Sequence, residues 1–214
     1  MDVNYLVKEL CRKMSNPTAA DWESLKRLGR YLIDKTRVLV GFLYQEQPET
    51  IEVYVDTDHA GCLETRKSTS GGIAMHGCHS IKTWSATQQV IALSSGEAEY
   101  CGMVKGAGNA MGISGVLQDM GIQYAITVYT DSSAAKGISS RRGLGQVRHI
   151  ELNELWLQDQ VARGRITVRK IKGGDNFSDS LTKHSNPERI RQTMNETLHR
   201  IVRGRHDIMP SVAR

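Results

Sequence analysis

No stretch of the chain approaches the ~20 consecutive apolar residues that a membrane-spanning helix needs. The opening residues, MDVNYLVKELCRKM, have polar residues interspersed throughout. Neither a membrane span nor a secretory leader is expected, and the expected location is intracellular. Cysteine is scarce: Cys11, Cys62, Cys78 and Cys101 are scattered, and no two form a CxxC pair. That scatter reads as isolated thiols rather than a disulfide framework or a zinc knuckle. A zinc site built from His76, Cys78 and His79 is disfavoured, because adjacent residues on a strand point to opposite faces. Internal repeats and low-complexity segments are also missing.

What is present is an ordinary globular composition. The 214 residues are 39% hydrophobic and 24% charged, with a net charge of +5. A chain of this length buries roughly 70% of its unfolded surface, enough for one core with appendages. The positive excess is uneven. Residues 138–172 hold eight basic residues against three acids, and such a stripe suits a polyanionic partner, although a charge run is more often a solvated face.

Apolar spacing predicts helices over residues 3–14 and from Thr18 or Asp21 to Leu32, separated by Asn16-Pro17. Val38–Tyr44 reads as a strand. Thr50–Asp56, Gly71–Met75 and Ile81–Thr87 follow as three more, then a long helical stretch from Leu93 to Met120. Ala125–Thr130 is a strand, 132–139 a short helix, 149–163 an amphipathic helix and 166–172 a strand. Helices are expected over 176–184 and 187–202. Three antiparallel strands followed by alternating helices and strands imply a mixed sheet in an α/β fold. Six glycines between 96 and 115 each cost a helix up to ~1 kcal/mol relative to alanine. Either packing overrides that cost or the helix breaks near 106–112.

Acids sit at suggestive places. The strand VYVDTD puts Tyr54, Asp56 and Asp58 on one face, with Val53 and Val55 on the other. AITVYTD ends in Asp131, and ligands gather at the carboxyl ends of strands in such sheets. Glu97 and Glu99 lie in the first turn of the long helix, and Asp179 near the start of another. Each has an ordinary explanation as a cap, a turn residue or a partner of a helix dipole. Taken together, acids on converging elements suit a site for two divalent cations.

These residues fall within motifs that resemble a known family. VYVDTDHAGC, TRKSTSGG, WSATQQ, LSSGEAEY, VYTDSSAA, RHIEL and SDSLTK occur in the order found in the ribonuclease H domain of copia-type LTR retrotransposon polyproteins. MSNPTAADWESLKRLGRYL resembles the segment that ends the reverse transcriptase of the same polyproteins. The resemblance implies an α/β fold with a ribonuclease H-like five-stranded mixed sheet flanked by helices, preceded by an N-terminal helix pair. It divides the chain into a reverse transcriptase remnant (1–36), the nuclease domain (37–184) and a C-terminal helix and tail (185–214).

By motif position, the resemblance implies Asp56, Glu99, Asp131 and Asp179 as catalytic ligands of two Mg²⁺ ions, with Mn²⁺ able to substitute. Strand alternation does not choose between Asp56 and Asp58. Glu97 lies nearer the buried helical stripe than Glu99, but the family sets its glutamate one residue before the first buried apolar residue, which selects Glu99. The implied chemistry is metal-activated attack of water on the RNA strand of an RNA/DNA hybrid. Arg66, Lys67, Ser68, Thr69 and Ser70, with Arg148 and His149, are weaker candidates for substrate contact. Implied partners are the hybrid and the rest of the Pol polyprotein, reverse transcriptase included, with no membrane. The implied location is the cytoplasm, in particles, and the nucleus.

Departures from the family pattern are His59 in place of Trp, Gly96 and Ser178 in place of Ala, Ser132 in place of an Asn- or Gln-like residue, and Ser85-Ala86-Thr87-Gln88 in place of a lysine-rich stretch. The lost lysines favour an alternative reading, a decayed or domesticated remnant that folds and binds nucleic acid. A third reading, a DNA-cutting relative such as an integrase, is disfavoured by a glutamate placed before two aspartates. No polymerase aspartate pair is present, and Met1 is open to being an artefact of the reading frame.

Overall fold

The computed structural model describes residues 1–33, 35, 37–143, 145 and 155–204. Its centre is a five-stranded sheet built from β2 (Thr50–Asp58), β3 (Thr69–His76), β4 (His79–Thr87), β5 (Ala125–Thr130) and β6 (Ile166–Lys170), in the order β4-β3-β2-β5-β6. The β2/β3 and β3/β4 pairs are antiparallel, and the β2/β5 and β5/β6 pairs are parallel. This is the mixed five-stranded α/β sheet that the sequence predicts. β2 is central and antiparallel to one neighbour while parallel to the other, so its carboxyl end and that of β5 lie at the same end of the sheet.

Helix α3 (Ser95–Asp119) crosses the sheet unbroken. Ser94 caps it, accepting from the Glu97 amide at 3.2 Å. Packing overrides the helix propensity of its glycines at the sheet side. A Cβ at Gly102 would lie 2.4 Å from Thr57 Oγ1, and one at Gly106 would lie 2.5 Å from Val55 Cγ1. Gly108, Gly112 and Gly115 face open space and have no such reason. The core between α3 and the sheet includes Val53, Val55, Val128, Tyr100, Met103 and Ala107, all at 0% exposure. Helices α4 (Ser133–Ser140) and α5 (Trp156–Ala162) pack beside α3. The residues that open the predicted 149–163 helix lie outside the described part of the chain.

The N-terminal pair forms as expected: α1 (Asn4–Arg12) and α2 (Ala19–Leu32), the latter opened by a Thr18/Asp21 capping box. α1 docks on β4 and β3. Asn4 Nδ2 donates to Thr83 Oγ1 at 3.0 Å, and Lys8 Nζ to Thr69 Oγ1 at 2.8 Å. Between the two helices runs an apolar groove lined by Val7, Leu10, Met14, Trp22 and Leu25. Among the described residues, no helix is long and apolar enough to cross a membrane.

Three expectations need correction. The strand predicted over Val38–Tyr44 stops early: β1 is Arg37–Val40, and it pairs with a strand the sequence reading missed, β7 (His199–Val202). The helix predicted over 187–202 is α6 (Pro187–Glu196). Leu198 turns the chain with φ +56, and Gly41 donates its amide to the Leu198 carbonyl at 2.8 Å, so the following residues enter a ribbon instead of another helical turn. The helix predicted over 176–184 is only a 3-10 turn, Asp179–Leu181. The Asn176 side chain explains this. Its Nδ2 donates to the Val55 carbonyl at 2.8 Å, and its Oδ1 accepts from the Ser178 amide at 3.2 Å, bonds that compete with a regular helix.

The two kinds of glycine in α3 should respond oppositely to alanine. Gly106→Ala should destabilise by about 1–3 kcal/mol through overpacking against Val55. Gly112→Ala should stabilise by about 0.5–1 kcal/mol through helix propensity alone. Urea denaturation of both variants checks the sign.

Candidate metal centre

At the carboxyl ends of β2 and β5, Asp56, Glu99 and Asp131 come together. Each offers one carboxylate oxygen, and these atoms all lie within 4.8 Å of one another. Different elements deliver each acid. β2 carries Asp56 as its seventh residue, 6% exposed. α3 brings Glu99 because Gly102, three residues on, lets the helix settle against Thr57. Asp131 follows the last residue of β5, and Ser132 caps α4 by accepting from the Ala135 amide at 3.2 Å. Asp131 therefore does not serve as the cap.

The neighbouring acids are placed elsewhere. The Glu97 carboxylate folds back to accept from the Leu93 amide at 3.0 Å, a local helix-start role. Asp58 is not in the cluster, and its carboxylate lies over Gly61, where a Cβ would meet its Oδ2 at 1.5 Å. Asp179 is outside the 4.8 Å group but adds its charge to the surroundings of Asp56. It pairs with Lys183 Nζ at 2.5 Å. That carboxylate holds the ammonium above the usual lysine value, with Asp56 and Asp131 adding to the effect.

The cluster is electrostatically uncomfortable without a cation. Burial first, then the charges of Asp56 and Asp131, push the Glu99 carboxyl up to about 9, against an opposing hydrogen bond from the Thr57 backbone. Burial also raises Asp56, helped by Asp179 and Asp131 and opposed by the hydroxyl of Thr182. Among the described residues Glu99 Oε2 is buried with no hydrogen-bond partner, a costly state for a carboxylate. Hard oxygen donors, converging negative charge and an orphaned carboxylate oxygen fit a divalent cation.

The weaker candidates divide. Arg66 is exposed and Lys67 half-buried. Ser68, Thr69 and Ser70 are buried at 0%, 4% and 1% exposure, with their hydroxyls engaged inside the fold. Their hydroxyls accept from the Ala60 amide, Lys8 Nζ and Gln88 Nε2 respectively. Arg148 and His149 lie outside the described residues. Two departures from the family pattern have local explanations. A Cβ at Gly96 would meet Ala134 Cβ at 2.8 Å, and Ser178 is buried with its hydroxyl bonded to Asn176 Oδ1 at 2.6 Å. Sequence reasoning missed Thr182, whose hydroxyl donates to Asp56 Oδ2. The signal was within SDSLTK, where a small polar residue follows Asp179 by three positions.

The retrovirus-related Pol polyprotein from transposon RE2 of Arabidopsis thaliana is 30% identical over 185 residues, 85% of this chain. The chain is homologous to a segment of transposon Pol polyproteins. The corresponding polyprotein from transposon TNT 1-94 of Nicotiana tabacum is 29% identical over 184 residues. The chain spans 13% and 14% of the lengths of these two Pol polyproteins. None of the protein-family models matches it. The N-terminal ribonuclease H domain of a Mycobacterium tuberculosis protein superposes with a TM-score of 0.44 at 17% identity, covering 68% of this chain and 96% of that one. The sheet order β4-β3-β2-β5-β6 with its flanking helices is the ribonuclease H-like arrangement that the sequence resemblance implies.

Stability should report the repulsion directly. Because Glu99 and Asp56 bind protons more tightly when folded than unfolded, the folded state holds more protons above the ordinary carboxylate range. Metal-free stability should therefore fall as pH rises from about 5 to 9. Glu99→Gln should flatten that slope and raise the melting temperature at pH 8 in EDTA, by about 2–4 °C for each kcal/mol of repulsion relieved. Thermal melts across pH check both.

Proposed function

We propose that this segment is a metal-dependent endoribonuclease that hydrolyses the RNA strand of RNA/DNA hybrids within a copia-type retrotransposon Pol polyprotein. The observation that carries the reading is the convergence of Asp56, Glu99 and Asp131 at the carboxyl ends of β2 and β5. Asp179, on the adjacent turn, completes the proposed ligand set. Bound Mg²⁺ or Mn²⁺ would supply Lewis-acid stabilisation of the charge that develops on the phosphate oxygens.

The chain's own groups do the rest. Asp56, Glu99 and Asp131 hold the reaction site on three separate elements, so its geometry is fixed by the packing of α3 on the sheet. Glu99 must give up its proton for the site to bind cations, which ties loading to pH. Lys183, 54% exposed beside Asp179, offers an ammonium to a phosphate approaching the cluster. Around the same end of the sheet, Lys136 and Lys172 are exposed. Cations there favour a polyanion and carry no sequence preference. Discrimination of RNA from DNA would come from contacts to the 2′-hydroxyl. The rest of the polyprotein, reverse transcriptase included, is the proposed partner, and the cytoplasm and nucleus the proposed locations.

The replacement Ser85-Ala86-Thr87-Gln88 favours the second reading, a remnant that binds without cutting. Among these residues, Gln88 is buried and donates to Ser70 Oγ and the Ala98 carbonyl, so it serves the fold.

A labelled RNA/DNA hybrid decides between the two. Cleavage should require Mg²⁺ or Mn²⁺ and spare duplex DNA. Asp131→Asn should lower the rate on the order of 10³-fold, because several kcal/mol of transition-state stabilisation are lost with one ligand. Asp58→Asn and Glu97→Gln should lower it far less. Wild-type cleavage by Asp131→Asn would refute the assignment.

A further inference from the structure

The segment after β6 touches the carboxylate cluster through one buried hydroxyl. Thr182 is 0% exposed, and its Oγ1 donates to Asp56 Oδ2. The same hydroxyl lies 3.1 Å from the Asp179 carbonyl, a longer contact. Thr182 thus ties the strand that carries Asp56 to the turn that carries Asp179.

The surroundings leave this residue little freedom. A Cβ at Gly71 would lie 2.7 Å from Thr182 Cγ2 and 2.8 Å from Leu181 Cβ, so only glycine on β3 admits the turn at this depth. Six residues earlier, Asn176 Nδ2 bonds the Val55 carbonyl, next to Asp56 in β2. The segment is therefore pinned to β2 at two successive residues, once through backbone and once through a carboxylate. The backbone bond serves the fold. The carboxylate bond acts on a group that otherwise repels its neighbours.

We propose that Thr182 is a positioning residue for cation binding: its hydroxyl fixes the Asp56 carboxylate and seats the Asp179 turn beside it. This rests on reading the cluster as a metal site. A hydroxyl donated to a ligand carboxylate favours its charged form and removes its rotational freedom. Outer-shell partners of this kind typically change metal affinity by about 10–100-fold.

The test is titration calorimetry with Mn²⁺ on the full chain, with melting in EDTA recorded alongside. Thr182→Val keeps the shape and removes the donor, and should weaken Mn²⁺ binding about 10-fold or more. Thr182→Ser keeps the donor and removes the methyl, and should bind within about threefold of wild type, even if its melting temperature drops. Should Thr182→Val fail to fold, Thr182→Cys takes its place as a weaker donor of similar size, with the same ordering expected. Wild-type affinity in Thr182→Val, or equal loss in valine and serine variants, would overturn the proposal. Hybrid cleavage by wild type, measured in parallel, separates the two claims. A wild type that binds Mn²⁺ but cuts nothing sinks the nuclease reading and leaves the Thr182 comparison standing. A wild type that binds no Mn²⁺ sinks both.

Discussion

At Gly102 and Gly106 helix α3 offers bare backbone to the side chains of the sheet, and the site depends on that closeness. At Gly102 there is no room for a methyl group against Thr57, and at Gly106 none against Val55. One turn toward the amino end, the same approach brings Glu99 to Asp56 and Asp131. A helix held further from the sheet by alanine or leucine at these positions would carry its glutamate away from both aspartates. The propensity cost of two buried glycines is small, at most ~1 kcal/mol each, beside the packing of Val53, Val55, Tyr100, Met103 and Ala107. The three other glycines toward the helix end have no such packing role.

Much of this arrangement was legible in the residues. Strand alternation in β2 and the apolar run of β5 each have a local cause, and both elements formed where that cause lies. What escaped has causes that are distant in sequence. Residues 199–202 read as the end of a helix until β1, more than 150 residues earlier, offers them a partner. The positive φ of Leu198, a non-glycine residue, gives no sign in the residue type. The short turn at 179–181 depends on Asn176 bonding β2, again a long-range contact.

The choice between paired acids shows the same division. Asp56 and Asp58 share a strand face, and alternation is silent between them. Position along β2 separates them: Asp56 remains opposite Glu99 and Asp131, whereas Asp58 lies past the cluster over Gly61. Glu97 and Glu99 differ in what they answer. Glu97 satisfies an amide ahead of its own helix, and Glu99 Oε2 has no hydrogen-bond partner among the described residues. A capping acid can be inferred from a few neighbouring residues. An acid left unsatisfied in a buried place becomes visible only once the fold has closed around it.

That unsatisfied oxygen carries an evolutionary consequence. Proteins sit near a stability threshold, and mutations that relieve strain are readily tolerated when function no longer opposes them. Amidation of any one of the three clustered acids costs no hydrophobic contact and lessens repulsion, so drift in an idle gene would tend to erase this triad early. Surface lysines carry no such strain, and their loss is nearly neutral to the fold. A copy relieved of function would therefore be expected to lose charge at Asp56, Glu99 or Asp131 before it lost packing.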